Sequence, residues 1–122
     1  MVTEKERTRT EKFKRIRKRL AQAENVLVVM QDYPDPDALA AAAALRELAR
    51  AVGASTVSLA CGGFVGRAEN KALLKYLNLN VLSLPGVNLK QYDCVAMVDT
   101  QPGAGNNGLP EEALPDIVID HH

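Results

Sequence analysis

The sequence predicts an α/β protein with a mainly parallel sheet and helices on both faces, and three observations predict it. Short uninterrupted apolar runs at 26–30, 94–98 and 117–119 lack the alternation of a half-exposed strand; they have the pattern of strands covered on both faces. An alanine-rich helical pattern at 37–52 stands between the first run and a second candidate strand, which is the βαβ arrangement. Each of the three runs leads into aspartate: Asp35 and Asp37 after the first, Asp99 after the second, Asp120 after the third. In a parallel sheet those positions share the carboxyl edge, where open α/β sheets bind ligands.

With 122 residues, 47% hydrophobic and 25% charged, the chain has room for one domain and one core. The net charge of zero hides an asymmetry. Residues 1–24 hold nine Lys/Arg against four Asp/Glu, leaving the body mildly acidic. A protein gripping long nucleic acid clusters Lys and Arg around its cleft; here acids gather at the strand ends, which favours metal over direct phosphate-backbone binding. Cys61 and Cys94 are too few and too isolated for a zinc site or disulfide framework, so buried reduced thiols are expected. No apolar run is long enough to cross a bilayer, and the charged N-terminus has no apolar signal-peptide core. The expected location is cytoplasmic, with no membrane partner.

In chain order, 1–24 is a basic amphipathic helix in which Phe13, Ile16 and Leu20 form one narrow packing stripe. Residues 25–122 form the α/β body. The first strand runs into Asp32-Tyr33-Pro34-Asp35-Pro36-Asp37, and the helix at 37–52 turns Leu45, Leu48, Ala49 and Val52 inward and ends at Gly53. The alanines at 40–44 let that helix approach the sheet closely. A second strand is expected at 55–59. The loop Cys61-Gly62-Gly63-Phe64-Val65-Gly66-Arg67 is glycine-rich but lacks both the Gly-Lys-Ser/Thr ending and the dinucleotide spacing, so it reads as a connection needing unusual backbone angles. Arg67 is a candidate for reaching a substrate phosphate from the same edge. A short helix at 68–77, a marginal strand at 80–84 closed by Pro85-Gly86, and strands at 92–99 and 116–120 complete a Rossmann-like three-layer sandwich.

Asp35 is a favoured N-cap residue, Pro36 suits the first helical position, and Asp37 falls in the first turn where the dipole favours negative charge. Capping accounts for that pair but not for the whole set. The segment after Asp99, from Thr100 to Pro110, shows no apolar helix pattern for that acid to cap. Carboxylates packed together repel and take up protons; divalent cations remove the conflict, and a carboxylate and imidazole set suits manganese or magnesium.

These residues resemble the DHH phosphoesterases, which include RecJ-like nucleases, nanoRNA and cyclic-dinucleotide phosphodiesterases, and exopolyphosphatase-like proteins. The resemblance covers about 25–122. It rests on Pro34-Asp35-Pro36-Asp37-Ala38, on Val98-Asp99, and on Asp120-His121-His122, each after an expected strand. It implies that Asp35 binds one metal, that Asp37 and His121 bind a second, and that Asp99 bridges them. It further implies that His122 faces the scissile phosphate and that Asp120 orients the histidines. Two departures accompany it. Gln31 stands where the family usually has a histidine, three residues before the motif-one proline. The family also draws a further metal-ligand aspartate and a small substrate-gripping domain from sequence beyond motif three, so the chain reads as the N-terminal part of such a protein, inactive by itself.

The expected function is therefore manganese-dependent hydrolysis of a small phosphodiester or phosphomonoester, such as a short oligoribonucleotide, a cyclic dinucleotide or a nucleoside bisphosphate, through two-metal activation of water. One alternative is a nucleotide-binding regulatory module with weakened turnover, motivated by Gln31. Another is a haloacid-dehalogenase-like phosphatase, because Asp35-x-Asp37 superficially matches its acid pair, although that nucleophile should end the strand directly. Self-association is compatible with an exposed last strand.

Overall fold

The computed structural model describes residues 3–63, 68–110 and 112–120, without the side chains of 68–70. Five strands form one sheet: β1 (Asn25–Met30), β2 (Thr56–Cys61), β3 (Val81–Ser83), β4 (Cys94–Val98) and β5 (Ile117–Ile119). Their order is β3-β2-β1-β4-β5, and every neighbouring pair is parallel. The α/β class and the parallel sheet expected from the apolar runs are thus present. No helix among the described residues is long and apolar enough to cross a membrane.

Among the described residues, three α-helices accompany the sheet: α1 (Glu4–Ala21), α2 (Pro36–Ala51) and α3 (Ala68–Tyr76). The start of α1 is a capping box: Glu6 N–H donates to Thr3 Oγ1, and Thr3 N–H donates to the Glu6 carboxylate. At the far end of α2, Ala54 N–H reaches Ala49 O and Gly53 N–H reaches Arg50 O, with Gly53 at φ +109°. This is the Schellman closure that a glycine favours.

β1 is central and its apolar run splits by parity. Val26, Val28 and Met30 pack with Ala38, Leu39, Ala42, Leu45 and Ala49 of α2 and with Leu20 of α1. Leu27 and Val29 pack with Ala60, Met97 and Leu84 on the opposite face. All five β1 side chains from Val26 onward are fully buried. Fully burying one such side chain contributes about 1.5–3 kcal/mol, so this strand anchors the fold. The two covering layers are unlike. The α-helices share one face; the other is covered by 3-10 turns at Leu84–Gly86 and Leu89–Gln91 and by Leu109 from the loop between β4 and β5.

Several expectations shift locally. β2 extends to Cys61, which therefore belongs to the sheet rather than to the glycine loop. Of the α1 stripe, Leu20 is buried and Ile16 packs against the core, whereas Phe13 remains 52% exposed, lining an open apolar groove with Ala41, Ala44, Leu48 and Ile119. Of the 40–44 alanines, Ala42 and Ala43 are buried while Ala40 and Ala44 face solvent.

The amino ends of the strands are pinned by carboxylates. Asp93 accepts from the N–H groups of Glu24 (2.9 Å) and Asn25 (2.8 Å), and these bonds hold its pKa below the usual carboxylate value. Asp116 accepts from Val95 N–H, and Arg19 of α1 donates to both Asp116 and the Asp93 carbonyl. These acids align β1, β4 and β5 at the end away from the candidate site.

Candidate metal and phosphate site

Strand order alone marks a ligand position. From β1 the chain winds outward through β2 to β3, then returns to lay β4 on the other side of β1. Connections leave β1 and β4 in opposite directions, opening a crevice at the carboxyl ends of these two strands. The registers Met30↔Val98 and Val98↔Ile119 set β1, β4 and β5 level there. Gln31, Asp99 and Asp120, each directly after a strand, therefore occupy one edge, joined by Asp35 and Asp37 from the turn into α2.

Asp35 caps α2 in extended backbone (φ −89°, ψ 175°), its Oδ1 accepting from Ala38 N–H at 2.9 Å. Pro36 opens the helix and Asp37 lies exposed in its first turn, as the capping argument expects. Asp99 is different: it is 5% exposed, has φ +59°, and donates its N–H to Ile119 O at 2.8 Å. A left-handed conformation at a buried non-glycine residue costs on the order of 1–3 kcal/mol and clusters at functional sites. Thr100 beside it is 1% exposed.

The described residues of the loop after Asp99 form no α-helix and fold back over the edge. Thr100 Oγ1 donates to Asn106 Oδ1 (2.6 Å), and Asn107 Nδ2 donates to Thr100 Oγ1 and to Gln101 O. Asn106 O in turn accepts Asp32 N–H at 2.6 Å, so the loop from β4 is tied to the turn after β1.

That turn contains an acid that sequence reasoning passed over. Asp32 Oδ1 is buried and has no hydrogen-bond partner among the described residues. A Cβ on Gly62 would lie 2.2 Å from it, so only glycine fits there without Asp32 moving. The signal was present: Asp32 follows an apolar run with only Gln31 between. Its charge, after burial, also raises the pKa of the Cys61 thiol, keeping that sulfur protonated and a poor metal ligand.

The structure brings Asp35, Asp37, Asp99 and Asp120 to one edge. Among the described residues, no three His, Cys, Asp or Glu side chains are grouped so as to hold a metal. Arg67, His121 and His122 lie outside the described residues.

No family model matches the chain, and no solved structure matches it. It is 39% identical over 99 residues to an uncharacterized protein, MJ1633, of Methanocaldococcus jannaschii. The match takes in 80% of this chain and 20% of that protein, so the chain spans about a fifth of the relative's length.

Proposed function

We propose that this chain forms the metal-binding part of a phosphoesterase of the DHH type, hydrolysing a small phosphodiester or phosphomonoester. The observation that carries the reading is the placement of Asp35, Asp37, Asp99 and Asp120 along the carboxyl edge of a parallel sheet, beside its switch point, although their side chains do not close into a metal-holding group among the described residues. The donor set fits hard divalent cations: carboxylates predominate, and the one nearby thiol is held protonated. Asp35 and Asp37 with His121, and Asp99 between them, are the residues that would hold manganese or magnesium. Two such ions, when bound, supply an activated water and neutralise charge on the phosphoryl oxygens.

The chain's own contribution is placement. Asp99 is fixed by its N–H bond to Ile119 O and by burial, so its carboxylate need not be ordered on binding. Asp35 is oriented by its cap bond, and the N–H groups at the start of α2 favour an anion beside it. The test is manganese-dependent hydrolysis of bis-p-nitrophenyl phosphate by the complete protein, with Asp99→Ala as the control. Equal activity in both, or none in the wild type with manganese bound, would overturn the reading.

Gln31 supports a second reading, a nucleotide-binding regulatory module, because it follows β1 directly where the family usually has a histidine. That reading predicts nucleotide binding without hydrolysis, and calorimetry beside the turnover assay separates the two.

A further inference from the structure

We propose that the slot between α1 and α2 is a docking groove for an amphipathic helix of acidic character on a partner protein. The slot holds about 370 Å³ and is walled by Phe13 and Ile16 of α1, by Ala41, Ala44 and Leu48 of α2, and by Ile119 at the end of β5. Phe13 is 52% exposed and Ile119 37%. Between Glu4 and Arg15, Phe13 is the one apolar residue. Ile16 and Leu20 already pack α1 on the core, and a charged residue at position 13 would serve that packing equally well. Single exposed apolar residues are ordinary, but a continuous apolar slot rimmed by charge marks an interaction site. The connection from β4 to β5 sends Leu109 to the opposite face of the sheet, so among the described residues it leaves this slot open.

Shape and charge choose the occupant. The slot lies between two helices, and the small side chains of Ala41 and Ala44 on its α2 wall admit the close approach of a third; such a concavity suits a helix laid in a groove better than a flat bilayer. The rim is basic. Lys12 and Arg15 line the adjoining depression, which shares Ile16 with the slot, and Arg9 stands one turn before Phe13 on the same stripe. Residues 1–24 carry nine Lys/Arg against four Asp/Glu, so an acidic partner is drawn in and a basic one repelled. A second copy of this chain fits badly, because pairing by this face would bring the two sets of Lys12 and Arg15 together across a two-fold axis. The acids of the carboxyl edge take no part in the argument, so it stands apart from the phosphoesterase reading.

The test uses the complete protein and a synthetic helical peptide with leucine at i, i+3, i+4 and i+7 and glutamate at most other positions, beside a counterpart with lysine for glutamate. Fluorescence anisotropy should show the acidic peptide binding, more weakly as salt rises, and the lysine peptide not binding. Phe13→Ala should weaken binding roughly 5- to 30-fold, the range of a central apolar anchor, with Tm within about 3 °C of wild type because the ring is half exposed. Ala44→Arg fills the slot while keeping the surface basic, and should abolish binding. Arg15→Glu should slow association. Binding that survives both Phe13→Ala and Ala44→Arg would assign it to the charge of α1 alone and overturn the proposal. Equal binding of the two peptides, no binding of the acidic one, or self-association that Ala44→Arg abolishes would overturn it too.

Discussion

Asp93 offers a sharp test of how the sheet is held. Its carboxylate receives two backbone N–H groups, from Glu24 and Asn25, at the entry to β1, while its own N–H donates to Asn25 O at 3.0 Å. Asp93→Ala deletes both side-chain bonds and leaves two strand-end N–H groups to water. Charge-assisted bonds contribute more than neutral ones, but this carboxylate is exposed, so about 1 kcal/mol per bond and about 2 kcal/mol in total is expected. For a domain of this size that corresponds to a fall in Tm of roughly 6–10 °C. Asp93→Asn keeps one acceptor but sets an NH2 group against the other N–H, and should recover less than half.

The pH dependence gives the prediction a sign. The folded pKa of Asp93 is lowered by the two N–H bonds, so its contribution is present above the ordinary carboxylate value of about 3.9 and is lost as pH falls through the folded pKa. Urea denaturation of wild type and Asp93→Ala should therefore differ at neutral pH and converge near pH ~2. The clamp stands about 17 Å along the strands from the carboxyl edge, so turnover at 25 °C should be unchanged. A gap under about 0.5 kcal/mol, or one that persists undiminished in acid, would refute the argument.

Other outcomes follow from other residues. Asp99→Ala should abolish manganese-dependent turnover while the metal-free Tm stays within about 3 °C of wild type or rises, since one charge leaves an edge that carries several acids; wild-type kinetics would make Asp99 structural. Gly62→Ala should destabilise by about 1–3 kcal/mol because its Cβ meets Asp32 Oδ1 at 2.2 Å, and Asp32→Ala in the same chain should remove most of that cost in a urea double-mutant cycle. Burial lifts the Cys94 thiol to about 11 from 9.0, so its contribution is complete below pH 9.0 and lost as pH rises toward about 11. Relative to Cys94→Ala, the wild type should lose stability across that window, as measured by urea unfolding at fixed pH steps.

What could be read from the sequence is what short-range pattern encodes. Val26 to Met30 are all apolar because both faces of β1 are covered, and that fact is visible without knowing what covers them. Asp35, Pro36 and Gly53 mark the ends of α2 by chemistry acting within one turn. The asymmetric second layer was not legible, because 3-10 turns at Leu84 and Leu89 leave no period to detect. Nor were the strand clamps: Asp93 acts on residues 68 and 69 positions earlier. Asp32 was legible in principle, as an acid after an apolar run, yet its burial depends on Gly62 and on the loop from β4.

The two ends of the sheet use acids in opposite ways, and this contrast supports a working site. At the amino end, Asp93 and Asp116 bind strand N–H groups and Arg19, sit in ordinary strand entries, and have an evident role in folding. At the carboxyl end, the chain accepts left-handed backbone at Tyr33 and Asp99, buries an acid oxygen of Asp32 with no hydrogen-bond partner among the described residues, and leaves no room for a Cβ at Gly62 unless Asp32 moves. Each of these costs on the order of 1–3 kcal/mol in a protein whose net stability is about 5–15 kcal/mol. The costs fall on the loops after β1, β2 and β4, the strands that meet at the switch point, and not at the opposite end of the same strands. A ligand held between these loops, as the proposed function requires, would account for that polarity.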